Sequence, residues 1–403
     1  MKKVLLSAFA CDPSQGSEPG YGWNWATGLA GKGYEVHCMT RGEGRENIEA
    51  FEKPANLHFH YITLPLGLEK MYSFSQASMY LYYMIWQQLA LKKGKSLHKK
   101  ISFDVIHHVT WGSIQMGSFL YKIPVPFIFG PSGGGQFSPV AFKKYFGNSW
   151  KVEETRVKVS AFLLKYNPAC KEMIRKAAAI WVSNPDTSQL VHNANGTKVF
   201  STMDAALPHS FYPPKFEPKL GKANVLRLLW VGRFMPRKGH MLLLDVMENL
   251  RDYPGITLTM IGDGEQRELF EESVVQRGLQ DAVFSKGKVS FSQVKHFYQQ
   301  FDAFFFTSLR DSCPAQLVEA MAYGMPVVTL NLHGQAIIVN EKTGFRCACE
   351  TPEQAIEALT HAILRLYREP GLLTEMSADA HAFALDQTWD QKISKITANS
   401  YPA

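Results

Sequence analysis

The chain has 403 residues, of which 46% are hydrophobic and 20% charged, and this composition excludes a disordered or collagen-like protein. The length is sufficient for two domains with separate cores, and six cysteines in so long a chain exclude a disulfide scaffold and favour a reducing compartment. The formal net charge of +7 is concentrated in residues 1–200, which carry ten more Lys and Arg than Asp and Glu.

The first elements have the order strand, loop, helix, strand. Val4 to Ala10 is an apolar run that we interpret as a buried strand rather than a signal peptide. The loop that follows, residues 12–22, contains three glycines, which allow backbone to approach a ligand closely; a flexible turn is the alternative. A helix is predicted from about Trp23 to Lys32 and a second strand from Tyr34 to Met39, which makes a Rossmann-type unit.

A long aromatic-rich helix is predicted from Met71 to Leu91, after a third strand at 57–64. Its serines and glutamines make it too polar for a confident membrane span. Five lysines follow it, at positions 92, 93, 95, 99 and 100. The pattern fits a packed helix with a basic carboxyl end, and it also fits a helix that lies on a membrane surface.

Two later strands end in residues suited to ligand contact. The run from Phe103 to Thr110 includes His107 and His108 at its carboxyl end, where open α/β sheets bind ligands. Alternation sends only one of the two side chains to the ligand side, and a histidine satisfied by backbone is the alternative. The strand at 126–129 is followed by three glycines, of which Gly134 and Gly135 are candidates for close contact with a sugar.

The second half begins after a proline-rich segment, residues 208–219, which we interpret as an interdomain linker. A strand at 226–231 leads into the run G-R-x4-K-G, which places Arg233 and Lys238 on one loop. Two cations there can hold a diphosphate without a metal ion, whereas ordinary surface cations are the alternative. Asp263 and Glu265 lack the further acidic ligands that a metal site requires.

The run from Ser308 to Val328 is predicted as loop, helix and strand after the buried strand Phe304–Phe306. The free backbone N–H groups near Cys313 to Ala315 would lie at the amino terminus of the helix and suit a phosphate. Asp311 lies before this helix and Glu319 on it, and carboxylates accept the two hydrogen bonds that a vicinal diol donates. A sugar would be the ligand of Asp311 and a ribose that of Glu319. The alternative is that Asp311 only interacts favourably with the helix dipole and that Glu319 is an ordinary exposed residue.

Together these motifs resemble the retaining glycosyltransferases of family 4, glycosyl transferases group 1, which have the GT-B fold. The resemblance is carried by the acidic-x7-Glu pattern from Asp311 to Glu319, by G-R-x4-K-G and by the strand end G-D-G-E at 262–265. The family usually has Glu where this chain has Asp311, and H-x-H where it has His107-His108. The resemblance extends over nearly the whole chain and is strongest from Leu226 to Gly344.

The resemblance implies two Rossmann-like, doubly wound α/β domains that face a central cleft. Residues 1–207 would form the acceptor domain and 208–385 the nucleotide-sugar donor domain, with a terminal helix, about 386–403, crossing back onto the first. The implied catalytic residues are His108, Arg233, Lys238 and Asp311, and Glu18, His107, Gly134 and Gly135 lie on the acceptor side. The implied donor-binding residues are Gly16, Gly232, Arg233, Lys238, Gly262, Val289, Asp311, Cys313, Pro314, Ala315 and Glu319.

The predicted activity is retaining transfer of a sugar from a nucleotide diphosphate sugar, UDP-linked by preference, to a hydroxyl group. The acceptor would be a glycan, a lipid-linked molecule or a small molecule, as in polysaccharide or glycoconjugate biosynthesis. The alternatives are a glycosyl phosphorylase or nucleotide-sugar epimerase on the same fold, or a non-catalytic sugar-nucleotide binding protein. We expect no cofactor, no metal and no nucleic-acid partner, and a cytoplasmic location with peripheral membrane association through the basic first domain.

Overall fold

The structure is a computed structural model, and it describes residues 1–196 and 198–402. The strands, numbered in chain order, are β1 Lys3–Ala8, β2 Glu35–Arg41, β3 Leu57–Ile62, β4 Val105–Thr110, β5 Phe127–Ser132, β6 Ala179–Val182, β7 Val199–Ser201, β8 Leu226–Val231, β9 Ile256–Ile261, β10 Val283–Ser285, β11 Ala303–Phe306, β12 Val327–Leu330 and β13 Gly344–Cys347.

The helices are α1 Ser17–Gly31, α2 Arg45–Ala50, α3 Met71–Phe74, α4 Gln76–Ile101, α5 Trp150–Tyr166, α6 Pro168–Lys176, α7 Pro185–Asn193, α8 His240–Asn249, α9 Arg267–Gln276, α10 Phe291–Gln300, α11 Ala315–Ala322, α12 His333–Ile338, α13 Pro352–Arg368, α14 Pro370–Leu385 and α15 Trp389–Ser400. Short 3-10 turns connect several of them.

The chain divides into two compact units, each built on one parallel sheet. The first unit contains residues 1–135, 158–204 and 389–402, and its sheet has the order β3-β2-β1-β4-β5-β6-β7. The second contains residues 136–157 and 205–388, and its sheet has the order β10-β9-β8-β11-β12-β13. Helices connect successive parallel strands, so each unit has the Rossmann-like α/β architecture predicted from the sequence.

Each unit has its own core. In the first, aromatic residues of α4 (Tyr82, Tyr83 and Trp86) pack with Phe9 and the strand residues of the sheet. In the second, the apolar residues of β8, β9 and β11 pack with α8 and α13. Strand residues in the middle of both sheets are fully buried, which explains why they appear in the sequence as continuous apolar runs.

The glycine-containing loop after β1 is shorter than predicted, because α1 begins at Ser17 and not near Trp23. Gly20 and Gly22 therefore lie within the helix. A Cβ atom at either position would collide with a backbone carbonyl oxygen, that of Gln15 or that of Ala10. These two glycines allow the helix to pack against its own preceding loop, so the prediction that they belong to a loop was wrong.

The predicted helix 71–91 is interrupted at Ser75, which separates α3 from α4. The Ser75 hydroxyl accepts a hydrogen bond from the backbone N–H of Ser78, as an N-cap does. Helix α4 then continues through the basic segment to Ile101, with Tyr82, Tyr83 and Trp86 fully buried. Among the described residues, no helix combines the length and the apolar character that crossing a bilayer requires.

The predicted division of the chain at 207/208 lies three residues from the boundary at 204/205, and α15 lies in the first unit. The segment 136–157 differs from the prediction. The sequence assigns it to the first domain, whereas the structure places it in the second unit, where Phe142, Phe146 and Trp150 join the core. No sequence pattern indicates that this segment belongs to the second unit, because its place depends on tertiary packing of apolar side chains.

Candidate functional site

The second sheet reverses its strand order between β8 and β11, which are neighbours with parallel strands on both sides. The loops that follow these two strands begin at the same edge of the sheet, and ligands of open α/β sheets bind at this position. Arg233 and Lys238 follow β8, and Asp311 follows β11. The structure therefore brings the predicted cations and the predicted acid to one place.

Asp311 is the centre of a buried ion-pair cluster. Its Oδ2 accepts hydrogen bonds from Lys238 Nζ at 2.6 Å and from Ser308 Oγ at 2.7 Å. Its Oδ1 accepts one from Arg237 Nη1 at 3.1 Å, and the same nitrogen donates to the carbonyl of Arg310 at 2.9 Å. Both carboxylate oxygens are thus held by groups of the protein itself.

The cluster keeps its charges despite burial. Burial by itself would raise the pKa of Asp311, but Lys238 and Arg237 hold it well below its usual range. Burial lowers the pKa of Lys238, whereas the carboxylate of Asp311 opposes this change. The Lys238 side chain is only 7% exposed, so its ammonium group is a desolvated cation in a fixed position.

The two cations of the G-R-x4-K-G run lie in different environments. Arg233 is exposed, and within the described part of the chain its guanidinium has no hydrogen bond or ion pair. Lys238 is enclosed, and Arg237, which the motif does not single out, contacts Asp311 instead of Arg233. Arg233 is therefore the exposed cation of the motif, whereas Lys238 is held in place by Asp311.

Several members of the cluster were not identified by the sequence motifs. Arg310 Nη2 donates to Glu153 Oε1 at 2.9 Å, and Glu153 Oε2 accepts from Ser138 Oγ at 3.0 Å. Both Glu153 and Ser138 belong to the segment 136–157, which joins the second unit. Arg237, Ser308, Arg310 and Glu153 were missed because their partners are distant in sequence; only the adjacency of Arg237 to Lys238 and of Arg310 to Asp311 could have suggested two of them.

Helix α11 begins next to this cluster, with Pro314 as its first flanking residue. Proline has no backbone N–H, so the donors at this terminus come from Ala315 and the following Gln316 rather than from Pro314. Cys313 lies one residue before the proline and is half-buried. The predicted helix terminus is present in the fold, shifted by one residue, and its binding of phosphate stays a prediction.

Glu319, one turn further along α11, is half-buried and hydrogen-bonded through one oxygen. The hydroxyl of Tyr298 donates to its Oε2 at 2.9 Å. Burial raises the pKa of Glu319 to about 7, although the Tyr298 hydrogen bond opposes the shift. Among the described residues, Oε1 has no hydrogen-bond donor within reach, so this oxygen can accept from a ligand hydroxyl.

The backbone positions predicted near the donor lie at the same sheet edge, after β8, β9 and β10. Gly232 N–H donates to the carbonyl of Ile261 at 3.0 Å, and Gly262 N–H donates to that of Gly287 at 2.9 Å. Gly262 has φ +143, and a Cβ atom there would collide with the Gly232 carbonyl. Val289 is half-buried just before α10. These N–H groups are engaged within the protein, so Gly232 and Gly262 shape the loops.

His107 and His108 are both fully buried, on opposite faces of β4. His108 Nδ1 lies 2.9 Å from Ser7 Oγ, and its ring stacks on Phe129 with centroids 5.1 Å apart. The two nitrogens of His107 lie 3.0 Å from the Tyr401 hydroxyl and 2.8 Å from the Gly130 carbonyl. Burial lowers the pKa of His107 to about 4 and that of His108 to about 3. Neither imidazole is open to solvent, contrary to the expectation that one of them faces a ligand.

The remaining predicted residues of the first unit follow the carboxyl ends of β1 and β5, and Glu18 among them lies in the first turn of α1. Gly16 is exposed and flanks α1, and Glu18 Oε1 accepts a hydrogen bond from the backbone N–H of Gly112 at 3.1 Å. Gly134 and Gly135 instead contact the protein itself. The Gly134 carbonyl accepts from Gln115 Nε2 at 2.5 Å, and the Gly135 N–H donates to Thr187 Oγ1 at 3.0 Å.

Protein atoms therefore occupy the space beside these two glycines in which the sequence predicted a sugar. A Cβ atom at Gly135 would lie 2.5 Å from the backbone of Asp186. Glycine is required there by packing, so the interpretation of Gly134 and Gly135 as sugar contacts is not supported by their surroundings. Among the predicted residues of the first unit, Gly16 and Glu18 remain in positions that suit a ligand.

Comparisons with known proteins agree with this architecture. Residues 214–381 match the family model of glycosyl transferases group 1. An uncharacterized glycosyltransferase of Haemophilus influenzae is 25% identical over 371 residues, 90% of each chain. Among solved structures, sucrose-phosphate synthase from Thermosynechococcus elongatus gives a TM-score of 0.72 at 19% identity, over 99% of this chain and 98% of that one. The Anabaena protein Alr3699/HepE, in complex with UDP, gives 0.62 at 14%, over 99% and 100%.

Residues 214–381 of the chain are therefore similar to glycosyl transferases group 1, and the chain has the GT-B fold and is a transferase enzyme. The match includes Lys238, Arg237 and Asp311 of the cluster, and also α11 with Glu319, whereas Glu153 lies outside it. The chemistry of the site is thus to be sought in glycosyl transfer.

Proposed function

We propose that the chain is a retaining glycosyltransferase that uses a UDP-linked sugar and glycosylates a hydroxyl of a glycan, a lipid-linked molecule or a small molecule. The observation that carries the proposal is the Asp311 cluster, which holds a desolvated Lys238 ammonium beside the amino terminus of α11. The choice of UDP is supported by HepE, which has the same fold and has been solved with UDP and with UDP-glucose.

Lys238 and Arg233 would bind the diphosphate of the donor. The negative charge on this leaving group grows as the bond between the sugar and the phosphate breaks, and fixed cations in a water-poor site stabilise such charge most effectively. Lys238 is fixed by Asp311, whereas Arg233 is exposed and would close on the ligand. The N–H groups of Ala315 and Gln316 would add donors from the helix terminus.

Asp311 would act as a positioning residue for Lys238. Its two oxygens already accept three hydrogen bonds, from Lys238, Ser308 and Arg237. This occupancy leaves little capacity for the sugar hydroxyls that the sequence motif assigns to it. Glu319 would accept hydrogen bonds from the ribose diol through Oε1.

Retention of configuration follows from a front-face reaction, the mechanism proposed for the family that the motifs resemble. The acceptor oxygen bonds to the anomeric carbon on the face from which the diphosphate leaves, and the acceptor proton passes to a leaving-phosphate oxygen. A double displacement would need a carboxylate nucleophile at the sugar, and Asp311 is a poor one because two cations bind it. The reaction requires no resident metal ion.

The donor class can be tested by thermal shift of the purified chain with UDP, GDP, ADP and their sugars in the presence of EDTA. A ligand that binds only the folded state raises the melting temperature. We expect a shift with UDP and UDP-sugars that is lost in Arg233→Ala and Glu319→Ala. Lys342→Ala, an exposed cation before β13 at the opposite edge of the same sheet, is the matched control and should keep it. No shift with any nucleotide in a folded sample would refute the proposal.

Stereochemistry is tested separately, by proton NMR of the first product formed from an α-linked donor. An α-linked product supports retention, and a β-linked product refutes it. Phosphate-dependent cleavage of a glycan without nucleotide would instead indicate the phosphorylase alternative.

We also propose that the acceptor is processed at the inner face of the membrane, in polysaccharide or glycoconjugate assembly. The support is the excess of ten positive charges in residues 1–200. Co-sedimentation with anionic and with neutral vesicles tests it: binding to anionic vesicles that is reduced by salt is expected, and equal recovery in the supernatant with both would refute the membrane association.

A further inference from the structure

Four ionisable residues, one glutamate and three histidines, lie together on the outer strands of the first sheet. Glu35 and His37 are on β2, and His58 and His60 are on β3, the edge strand. Side chains two residues apart on a strand point to the same face. The parallel register aligns His37 with His58 and Met39 with His60, so the four side chains share one face at adjacent positions.

The side chains are close enough to act as one group. His37 Nε2 lies 3.2 Å from Glu35 Oε1, and the His37 and His58 rings have centroids 4.7 Å apart. One ligand atom from each of Glu35, His37 and His58 can be chosen so that all three lie within 4.8 Å of one another. His60 contacts His37 from the other side, with Nε2 at 3.0 Å from His37 Nδ1.

The hydrogen bond to His60 bears on the chemistry of His37. When His37 Nδ1–H donates to His60 Nε2, His37 Nε2 carries a lone pair, and that lone pair faces the carboxylate of Glu35. Two electron-rich atoms 3.2 Å apart require a cation between them, either a proton or a metal. Metal-binding histidines usually donate their second N–H to a neighbouring acceptor in this way.

We propose that Glu35, His37 and His58 bind one divalent transition-metal ion of the zinc class, with His60 fixing the orientation of His37. Two imidazoles and a carboxylate form a donor set that suits zinc and leaves a position for water. Bond lengths of about 2.1 Å place tetrahedral ligands about 3.4 Å apart, so no pair of ligand atoms has to approach by more than about 1.4 Å. His58 is exposed and free to rotate by that amount.

The surroundings select against hard cations. Lys3 lies near His37 and Lys93 near His60, and both add positive charge. An ion held mainly by electrostatic attraction, such as calcium or magnesium, needs several oxygen ligands and is disfavoured here. A metal that forms strong bonds to imidazole nitrogen is not excluded by this charge, and His37 itself is only 7% exposed.

The site lies near the amino-terminal ends of β2 and β3, whereas the loops that bind ligands in such sheets follow the carboxyl ends. The metal would therefore join the edge strand to its neighbour and stabilise the first unit without entering the reaction. This role is separate from the donor site, for which no metal is required.

The test uses untagged full-length protein stripped with a chelator, then titrated with Co²⁺ and with Zn²⁺. We expect one metal per chain after desalting, a tetrahedral Co²⁺ absorption band between about 500 and 650 nm, and a melting temperature raised by a few degrees in Zn²⁺. His37→Ala, His58→Gln and Glu35→Gln should each abolish the band. His60→Gln should weaken binding about 10–100-fold while keeping it, as loss of a supporting hydrogen bond does.

His361→Gln, an exposed histidine of α13 in the second unit, is the matched control and should bind as the unchanged protein does. His58 is exposed, so His58→Gln should fold normally, and circular dichroism checks this. The proposal is overturned if the stripped protein, once titrated with Zn²⁺, retains no zinc after desalting. It is equally overturned if His58→Gln and His361→Gln bind zinc alike, which would mean adventitious binding.

Discussion

Both sheets reverse their strand order next to their first strand, at β1/β4 in the first unit and at β8/β11 in the second. At β8/β11 the polar residues lie in the loops, as the charged cluster of Lys238, Arg237 and Asp311. At β1/β4 the polar residues His107 and His108 lie within the strand itself and are enclosed. In this chain the polar residues beyond the last strand residue form the charged cluster, whereas the two histidines before it are part of the core.

The largest expected effect is on the charged cluster. Asp311→Ala leaves the buried Lys238 ammonium without its closest partner, and breaking such a pair costs about 3–5 kcal/mol of unfolding free energy. Urea unfolding of the variant measures the loss. Asp281→Ala, an exposed acid of the same unit, should change stability by less than about 0.5 kcal/mol. Equal effects of the two substitutions would mean that the cluster does not stabilise the fold.

The histidines should behave as core residues. His108→Ala removes a fully buried ring that stacks on Phe129, and we expect a loss of about 2–4 kcal/mol in unfolding free energy. Turnover by the folded fraction should then remain close to that of the unchanged protein. A catalytic role would give the reverse, a large loss of turnover with little loss of stability.

The same histidines predict how stability depends on pH. Their pKa values, about 4 and about 3, lie below the value of about 6.5 expected when unfolded, so the unfolded chain binds more protons between these limits. Their contribution is complete above pH 6.5 and is lost as pH falls from about 6.5 towards 4, by up to about 1.4 kcal/mol per pH unit for each group. Urea unfolding at several pH values measures the slope, which His108→Phe should reduce. An unchanged slope in that variant would contradict the assignment.

Gly135 tests whether the glycines of the first unit serve packing. A Cβ atom would lie 2.5 Å from the Asp186 backbone, so Gly135→Ala should cost about 1–3 kcal/mol of unfolding free energy. Gly31→Ala, at an open position at the end of α1, should be neutral or stabilising by up to about 1 kcal/mol. Thermal unfolding distinguishes the two, and a neutral Gly135→Ala would reopen the interpretation of a sugar contact.

The smallest effect concerns Glu319. Its pKa of about 7 means that the carboxylate forms as pH rises through neutrality, so UDP affinity should increase about tenfold between pH 6 and pH 8. Tyr298→Phe removes the hydrogen bond that lowers this pKa and should move the midpoint to higher pH. Isothermal titration calorimetry measures both. A flat profile in the unchanged protein, or a sloping one in Glu319→Gln, would exclude a role of the carboxylate in binding.

The sequence was most informative where function depends on loops of fixed length. The run that begins at Gly232 and the spacing from Asp311 to Glu319 located both sides of the charged cluster, because short loops after adjacent strands must meet. It could not show that Asp311 is occupied by Lys238, Arg237 and Ser308, since that depends on side-chain packing. The sequence also could not distinguish a glycine that allows a ligand to approach from Gly22 and Gly135, which allow neighbouring backbone to pack closely.

Sequence patterns also failed to predict which unit one segment joins and where one helix is interrupted. The segment 136–157 joins the second unit through apolar side chains that are also compatible with the first. The predicted helix at 71–91 was broken at Ser75 by a local serine cap, which the apolar periodicity around it conceals. In both cases the deciding interactions involve few residues and leave no periodic signal.

The chain passes between the two units four times, and the last passage brings α15 to the first unit. Tyr401, beyond that helix, contacts His107 in the middle of the first sheet, and Ile393 fills the space beside Gly28 of α1. During synthesis the amino-terminal unit therefore stays incomplete until α15 and Tyr401 have left the ribosome, although domains usually fold in the order in which they are made. Proteolysis at any single site between the units should likewise leave a nicked, associated protein rather than two independent halves.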